Sequence, residues 1–199
     1  MSPRASRRRP SRPGRVPRVP GHAPSPRSRA RIAPQELIRR ASRVRLVLLD
    51  VDGVLTDGRL YYGADGEALK VFDVRDGHGI VMLRDHVDLG VLSGRPAGPT
   101  RSRLEDLRFK HAIFGHREKL PAYQELLRAL GLSDREVAYM GDDVNDVPVL
   151  RRAGLAACPS DASPEARAAA HLVSAFPGGG GAVRELCELI LRAKGLWKY

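Results

Sequence analysis

Four polar clusters sit at the ends of apolar runs in this 199-residue chain. They are Asp50-Val51-Asp52-Gly53-Val54-Leu55-Thr56-Asp57, then Leu92-Ser93-Gly94-Arg95, then Lys119 alone, then Gly141-Asp142-Asp143-Val144-Asn145-Asp146. Two carboxylates spaced like Asp50 and Asp52 project to one side, so they can divide nucleophilic attack and general acid–base work. Gly53 permits a tight turn that lets backbone groups approach a ligand. Asp142 adds a carboxylate, and paired carboxylates suit Mg²⁺, which favours octahedral oxygen ligation. Ser93 offers a hydroxyl donor and Lys119 a positive charge. Singly, each cluster has a plain structural explanation: Asp-Gly makes turns, Ser-Gly makes loops, a lone lysine is solvated, and acidic clusters cap helices. Their joint order and strand-end placement point to one site. At Lys119 the solvated reading is strong taken alone, but a cation at a helix start opposes the helix dipole, so no local structural benefit is expected.

The elements that must position these residues follow from hydrophobic patterning. Residues 44–50 are almost unbroken aliphatic, as in a strand buried on both faces of a parallel sheet. Similar short runs occur at 87–92, 111–114 and 137–140, with weaker ones at 155–157 and 171–173. Helical patterns fall at 34–44, 77–84, 99–107, 119–130, 163–169 and 182–193, and Gly131 suits the C-cap of the fourth. Residues 59–62 and 67–73 read as a hairpin around Gly63-Ala64-Asp65-Gly66. Strands alternating with helices predict a doubly wound α/β fold, a Rossmann-like parallel sheet whose ligands sit beyond the carboxyl ends of the strands.

The net charge of +11 suggests nucleic acid until it is located along the chain. Residues 1–31 hold ten arginines and no acid, which leaves only +1 for the remainder. Seven of the fifteen prolines lie in the same stretch and break any amphipathic helix. Residues 1–33 are therefore expected to be a disordered basic tail, 34–195 the folded domain, and 196–199 a short C-terminal tail. A transit peptide, or a start codon further downstream, are other readings of the basic segment. Binding of nucleic acid or a membrane surface through the tail is a remote alternative, since it has no aromatic residue for base stacking. The two cysteines, Cys158 and Cys187, have no spacing that suggests zinc or a disulfide framework. No apolar run approaches the roughly 20 residues of a membrane span, and a cytoplasmic enzyme is expected.

The four clusters resemble the motifs of the haloacid dehalogenase superfamily of phosphohydrolases: Asp-x-Asp-Gly-x-x-Thr, Ser/Thr, Lys/Arg and Gly-Asp-Asp-x-x-x-Asp. Too few residues separate the first motif from Ser93 for a cap domain. The hairpin, the stretch Lys70-Val71-Phe72-Asp73-Val74-Arg75-Asp76-Gly77-His78 and the glycine loop Gly178-Gly179-Gly180-Gly181 are similar to capless members that act on sugar-acid phosphates. Asp73 stands where that pattern has asparagine, and Gly180 where it has arginine.

The resemblance implies a haloacid dehalogenase-type, capless fold with a small hairpin insertion and Mg²⁺-dependent hydrolysis of a phosphate monoester. The substrate it implies is 3-deoxy-D-manno-octulosonate 8-phosphate, with N-acylneuraminate 9-phosphate or another phosphosugar as the alternative. Asp50 would form an aspartyl-phosphate and Asp52 would protonate the leaving oxygen. Asp50, Asp142 and the main-chain carbonyl of Asp52 would hold Mg²⁺, which separates the nucleophile from an anionic phosphoryl group, and Asp143 and Asp146 would support them. Ser93 would bond a phosphoryl oxygen and Lys119 would balance charge. Arg75 and Arg95 offer forks suited to a sugar carboxylate, and Asp76 and Gly77 are expected to shape the same pocket. Capless members assemble as homotetramers, so a neighbour's hairpin or tail, here Leu196, Trp197 and Tyr199, is expected to close the site.

Overall fold

A strand that is aliphatic on both faces must be covered above and below. In the computed structural model, which describes residues 29–96 and 98–199, that strand is β2 (Leu46–Leu49), wholly buried near the middle of a seven-stranded sheet. Its companions are β1 (Arg29–Ala30), β5 (Asp88–Leu92), β6 (His111–Ile113), β7 (Val137–Met140), β8 (Leu155–Cys158) and β9 (Leu172–Val173), in the order β1-β9-β8-β7-β2-β5-β6. All pairings are parallel except β1 on β9. The chain runs outward from β2 through β5 and β6, then returns to β7 on the other side of β2. The strand order therefore reverses between β2 and β7, which is where open α/β sheets place their crevice.

Alternate side chains of β2 feed two cores. Val47 and Leu49 pack with α1 (Pro34–Ser42), α2 (Val74–Leu83), α3 (Thr100–Leu107) and α7 (Ala182–Ala193) on one face. Leu46 and Leu48 pack with α4 (Lys119–Leu130), α5 (Val147–Leu150) and α6 (Pro164–Ala169) on the other. Gly79 lets α2 and α7 approach closely, since a Cβ there would lie 2.9 Å from the Arg184 side chain and 3.0 Å from its Cα. Gly131 ends α4 in the left-handed conformation, as expected.

Three boundaries differ from expectation. Helix α2 begins at Val74 rather than 77, because the Asp73 carboxylate accepts from the amides of Arg75 and Asp76 and caps it. The hairpin is shorter, with β3 (Tyr61–Gly63) and β4 (Gly66–Leu69) pairing only with each other among the described residues. The folded body also starts before residue 34. Arg29–Ala30 pairs with β9, the Arg31 amide donates to the His171 carbonyl at 2.9 Å, and Ile32 packs on the core. An edge strand recruits its neighbour through backbone groups, which composition does not reveal. The rest of the expected tail, 1–28, lies outside the described residues.

At the other terminus, Leu196 and Trp197 are not a free tail. The Leu196 amide bonds to the Leu191 carbonyl, and Trp197 lies under the guanidinium of Arg192 at 4.2 Å and of Arg184 at 5.9 Å. Lys198 and Tyr199 are exposed. No helix among the described residues is long and apolar enough to cross a membrane.

Candidate active site

The first and last motifs meet because β2 and β7 are adjacent. The Asp50 amide continues the ladder by donating to the Met140 carbonyl at 2.9 Å, so the two loops leave the sheet side by side. Asp50 Oδ1 accepts from the Val51 amide at 2.7 Å, and Oδ2 faces Lys119 Nζ at 2.9 Å. Lys119, 4% exposed, also donates to Asp146 Oδ1 at 2.6 Å. Asp146 is saturated: Oδ1 takes a further bond from the Tyr139 hydroxyl at 2.5 Å, and Oδ2 accepts from the amides of Asp142 and Asp143. It is thus a bracket that fixes the lysine and the fourth loop together. Asp143 is exposed and caps the short turn after it by accepting from the Val144 amide.

Asp142 differs from Asp146. Its side chain accepts no hydrogen bond among the described residues, and it lies directly over Gly53, where φ is +83° and a Cβ would strike the carboxylate. Burial, then the charges of Asp50 and Asp146, push the Asp142 carboxyl up to about 8. Asp50 is pushed up to about 6 by burial, against the pull of Lys119. Burial works against the Lys119 charge, yet the two aspartates outweigh it and hold the ammonium above its usual value. Asp50, Asp142 and Asp146 each bring one carboxylate oxygen within 4.8 Å of the others, and among the described residues Lys119 is the one cation paired with the group. A crowded all-oxygen set with one unshared carboxylate fits a hard divalent cation.

The crevice has a volume of about 290 Å³ and is lined by Asp50, Asp52, Ser93, Arg95, Lys119 and Asp142, among others. Ser93 is buried, and its Oγ accepts from the Arg95 amide at 3.2 Å. The Asp52 carboxylate turns away from the acidic group and pairs with Lys70 Nζ, with Arg95 Nε at 3.5 Å. Glu67 binds the same two cations, Lys70 at 2.6 Å and Arg95 Nη2 at 3.2 Å. The hairpin therefore folds its polar side onto its own chain's crevice. Lys70 and Glu67 were not among the expected site residues. The available signal was that Glu67 and Lys70 are charges set among the apolar Ala68, Leu69, Val71 and Phe72.

Three expected substrate contacts are placed elsewhere. Asp76 is buried against α7, where it accepts from the amides of Gly181 at 3.2 Å and Arg184 at 2.8 Å. It caps a helix far along the chain. Gly77 makes room for the Arg103 guanidinium. Arg75 is anchored on Asp73 at 2.9 Å and donates to the Gly180 carbonyl at 3.0 Å. The acid at position 73 and the glycine at position 180, the two departures from the family pattern, are thus joined by one guanidinium. The glycine loop touches the nucleophile loop directly: the Gly179 amide donates to the Val54 carbonyl, and Gly178 packs on the carbonyl of Gly53.

A family model described as haloacid dehalogenase-like hydrolase matches residues 113–186. The 3-deoxy-D-manno-octulosonate 8-phosphate phosphatase KdsC of Yersinia pestis is 44% identical over 160 residues, covering 80% of this chain and 86% of the relative. The chain belongs to the haloacid dehalogenase-like hydrolases. Within that family, its fold is shared with the octulosonate 8-phosphate phosphatase of Moraxella catarrhalis, solved with magnesium, phosphate and KDO. The two are 35% identical with a TM-score of 0.79, over 82% of this chain and 94% of that one. A cobalt-bound deoxy-D-mannose-octulosonate 8-phosphate phosphatase from Haemophilus influenzae is 41% identical with a TM-score of 0.76, over 78% and 92%. The expected capless haloacid dehalogenase fold and phosphoric monoester hydrolase class are thereby borne out.

Proposed function

We propose that the chain hydrolyses 3-deoxy-D-manno-octulosonate 8-phosphate to the free sugar acid and orthophosphate. The observation that carries this reading is the Asp50–Lys119–Asp146 array beside the unshared Asp142 carboxylate, in a family whose named relatives act on that ester. Asp50 Oδ attacks phosphorus, the bond from phosphorus to the sugar oxygen breaks, and Asp52 donates its proton to that oxygen. Asp52 then takes a proton from the water that attacks the aspartyl-phosphate, and phosphate leaves. Asp50 and Asp142, with the Asp52 main-chain carbonyl, are the ligands for Mg²⁺, which when bound neutralises the nucleophile and the phosphoryl oxygens. Ser93 donates to a phosphoryl oxygen and Lys119 holds the charge of Asp50 and the transferred group.

The pairing of Asp52 with Lys70 and Arg95 gives the acidic substrate a second task. A sugar carboxylate competes for these two cations, and its arrival frees Asp52 to carry a proton. Arg95 is thus the substrate-binding arginine of the two expected, with Lys70 beside it. The test is phosphate release from a panel of esters with Mg²⁺ present. The octulosonate ester is expected to exceed glucose 6-phosphate by at least about 10²-fold in kcat/KM, the value of roughly 2.7 kcal/mol of charge recognition. Equal rates on the neutral sugar would overturn the assignment, and a preference for N-acylneuraminate 9-phosphate would move it to that acid.

Assembly as a homotetramer belongs to the same reading. With its polar side turned inward, the hairpin region shows Leu60, Tyr62, Leu69 and Val71 to solvent, with Tyr62 65% and Val71 54% exposed. Isolated ribbons are marginal, and closed symmetry offers a way to cover this face. Phe72 instead packs inward beneath Arg103. Light scattering should give the mass of four chains, and Leu69→Asp with Val71→Asp should yield smaller species of lower activity. A monomeric wild type at full activity would contradict the assembly. The free, buried thiols Cys158 and Cys187 accord with assignment to the cytoplasm.

A further inference from the structure

At the amino end of the sheet, away from the crevice, α1 and the segments that lead into β7, β8 and β9 enclose a cleft of about 490 Å³. Among the described residues its walls carry Arg39, Arg40, Arg43, Arg135, Arg151 and Arg152, together with Ala153, Gly154 and His171. Six guanidiniums share two carboxylates. Glu36 takes Arg39 and Arg40 at 2.6 and 2.8 Å, and Asp134 takes Arg152 at 2.7 Å. Arg43, Arg135 and Arg151 have no carboxylate partner within 4.0 Å among the described residues, and all three are exposed.

The floor of the cleft carries a second, independent sign. The Ala156 amide donates to His171 Nδ1 at 2.9 Å, so in the neutral ring the proton sits on Nε2. That Nε2–H lies 3.4 Å from Arg40 Nη1, which is itself held by the Gly154 carbonyl at 2.7 Å. Two donors thus face each other, and an acceptor that takes both removes the conflict. The volume is that of a small-molecule pocket. Planar forks with surplus positive charge match phosphate oxygens, and three uncompensated guanidiniums call for several negative charges. The described lining has no aromatic platform for bases, which argues against a nucleic-acid strand.

We propose that this cleft is a second anion site, which binds a polyphosphate group. Free inorganic polyphosphate and the phosphate chain of a nucleotide share that chemistry. The test is calorimetric titration of the full chain in EDTA with inorganic triphosphate, ATP and orthophosphate. Triphosphate should bind at one site, with orthophosphate at least tenfold weaker. The triple variant Arg43→Ala, Arg135→Ala, Arg151→Ala should lose at least tenfold in triphosphate affinity while keeping its phosphatase rate, which shows that it folds. His171→Phe, which removes the Nε2 donor, should weaken binding by a smaller factor. ATP binding tighter than triphosphate would identify a nucleotide as the source, and equal affinity the phosphate chain alone. Triphosphate that binds wild type and triple variant alike would place it outside this cleft, on the catalytic crevice or the arginine-rich segment before residue 29, and overturn the proposal, as would no binding at millimolar concentration.

Discussion

Asp50→Asn is expected to lower kcat by at least about 10⁴-fold, the scale seen when a covalent nucleophile is removed, while the protein stays folded. An amide oxygen is a poor nucleophile toward phosphorus and a poor ligand for Mg²⁺, so both functions of the residue vanish together. The structure gives reasons for the fold to survive. Asp50 is a buried carboxylate with its pKa pushed up to about 6, so its charge is not a source of stability at neutral pH. Asparagine keeps one acceptor for either the Val51 amide or Lys119, and the lost bond costs about 1–3 kcal/mol. Loss of an anion from a crowded acidic group offsets part of that. Acid-quenched wild type incubated with labelled substrate should carry phosphate on the peptide that contains Asp50, and the variant none. A purified variant within tenfold of the wild-type rate would remove Asp50 from the mechanism.

What could be read in the chain beforehand follows from which interactions are local. Asp50, Ser93 and Asp142 were legible because each follows a buried apolar strand at once or, for Asp142, after one glycine, and a parallel sheet collects such positions at one end. Lys119 was legible only by its order among the others. Asp76 was misread because its partners, the amides of Gly181 and Arg184, lie more than a hundred residues away and carry no side-chain signature. Lys70 and Glu67 escaped for a related reason. Strict alternation would set Glu67 and Lys70, three residues apart, on opposite faces; they meet because β4 ends at Leu69, before Lys70. The strand at Arg29–Ala30 was hidden in a segment that reads as a tail, since its pairing to β9 uses backbone alone. Arg75 has a fitting charge in the right neighbourhood, and its fork is held by Asp73 and the Gly180 carbonyl.

The acidic group also makes stability depend jointly on pH and on the cation. Without metal, the folded state holds a proton on Asp142 up to about pH 8, far above the ordinary carboxylate range. The folded form then binds more protons than the unfolded chain, so this contribution is complete below pH 4 and is lost as pH rises through 8. His171, whose pKa burial lowers, has the opposite sign but acts only near and below the ordinary histidine range. Between pH 7 and 9 the Asp142 contribution is exposed, and in EDTA the Tm should fall across that window. Mg²⁺ requires the same carboxylate deprotonated, so its affinity rises over the same interval. At a concentration of 100 times Kd it adds about 2.7 kcal/mol, roughly 5–10 °C for a chain of this size. The gap between the Mg²⁺ and EDTA melting curves should therefore widen from pH 7 to pH 9, and Asp142→Asn should flatten the EDTA curve and abolish the gap. A gap that is constant with pH, or that survives in Asp142→Asn, would show that the cation binds elsewhere.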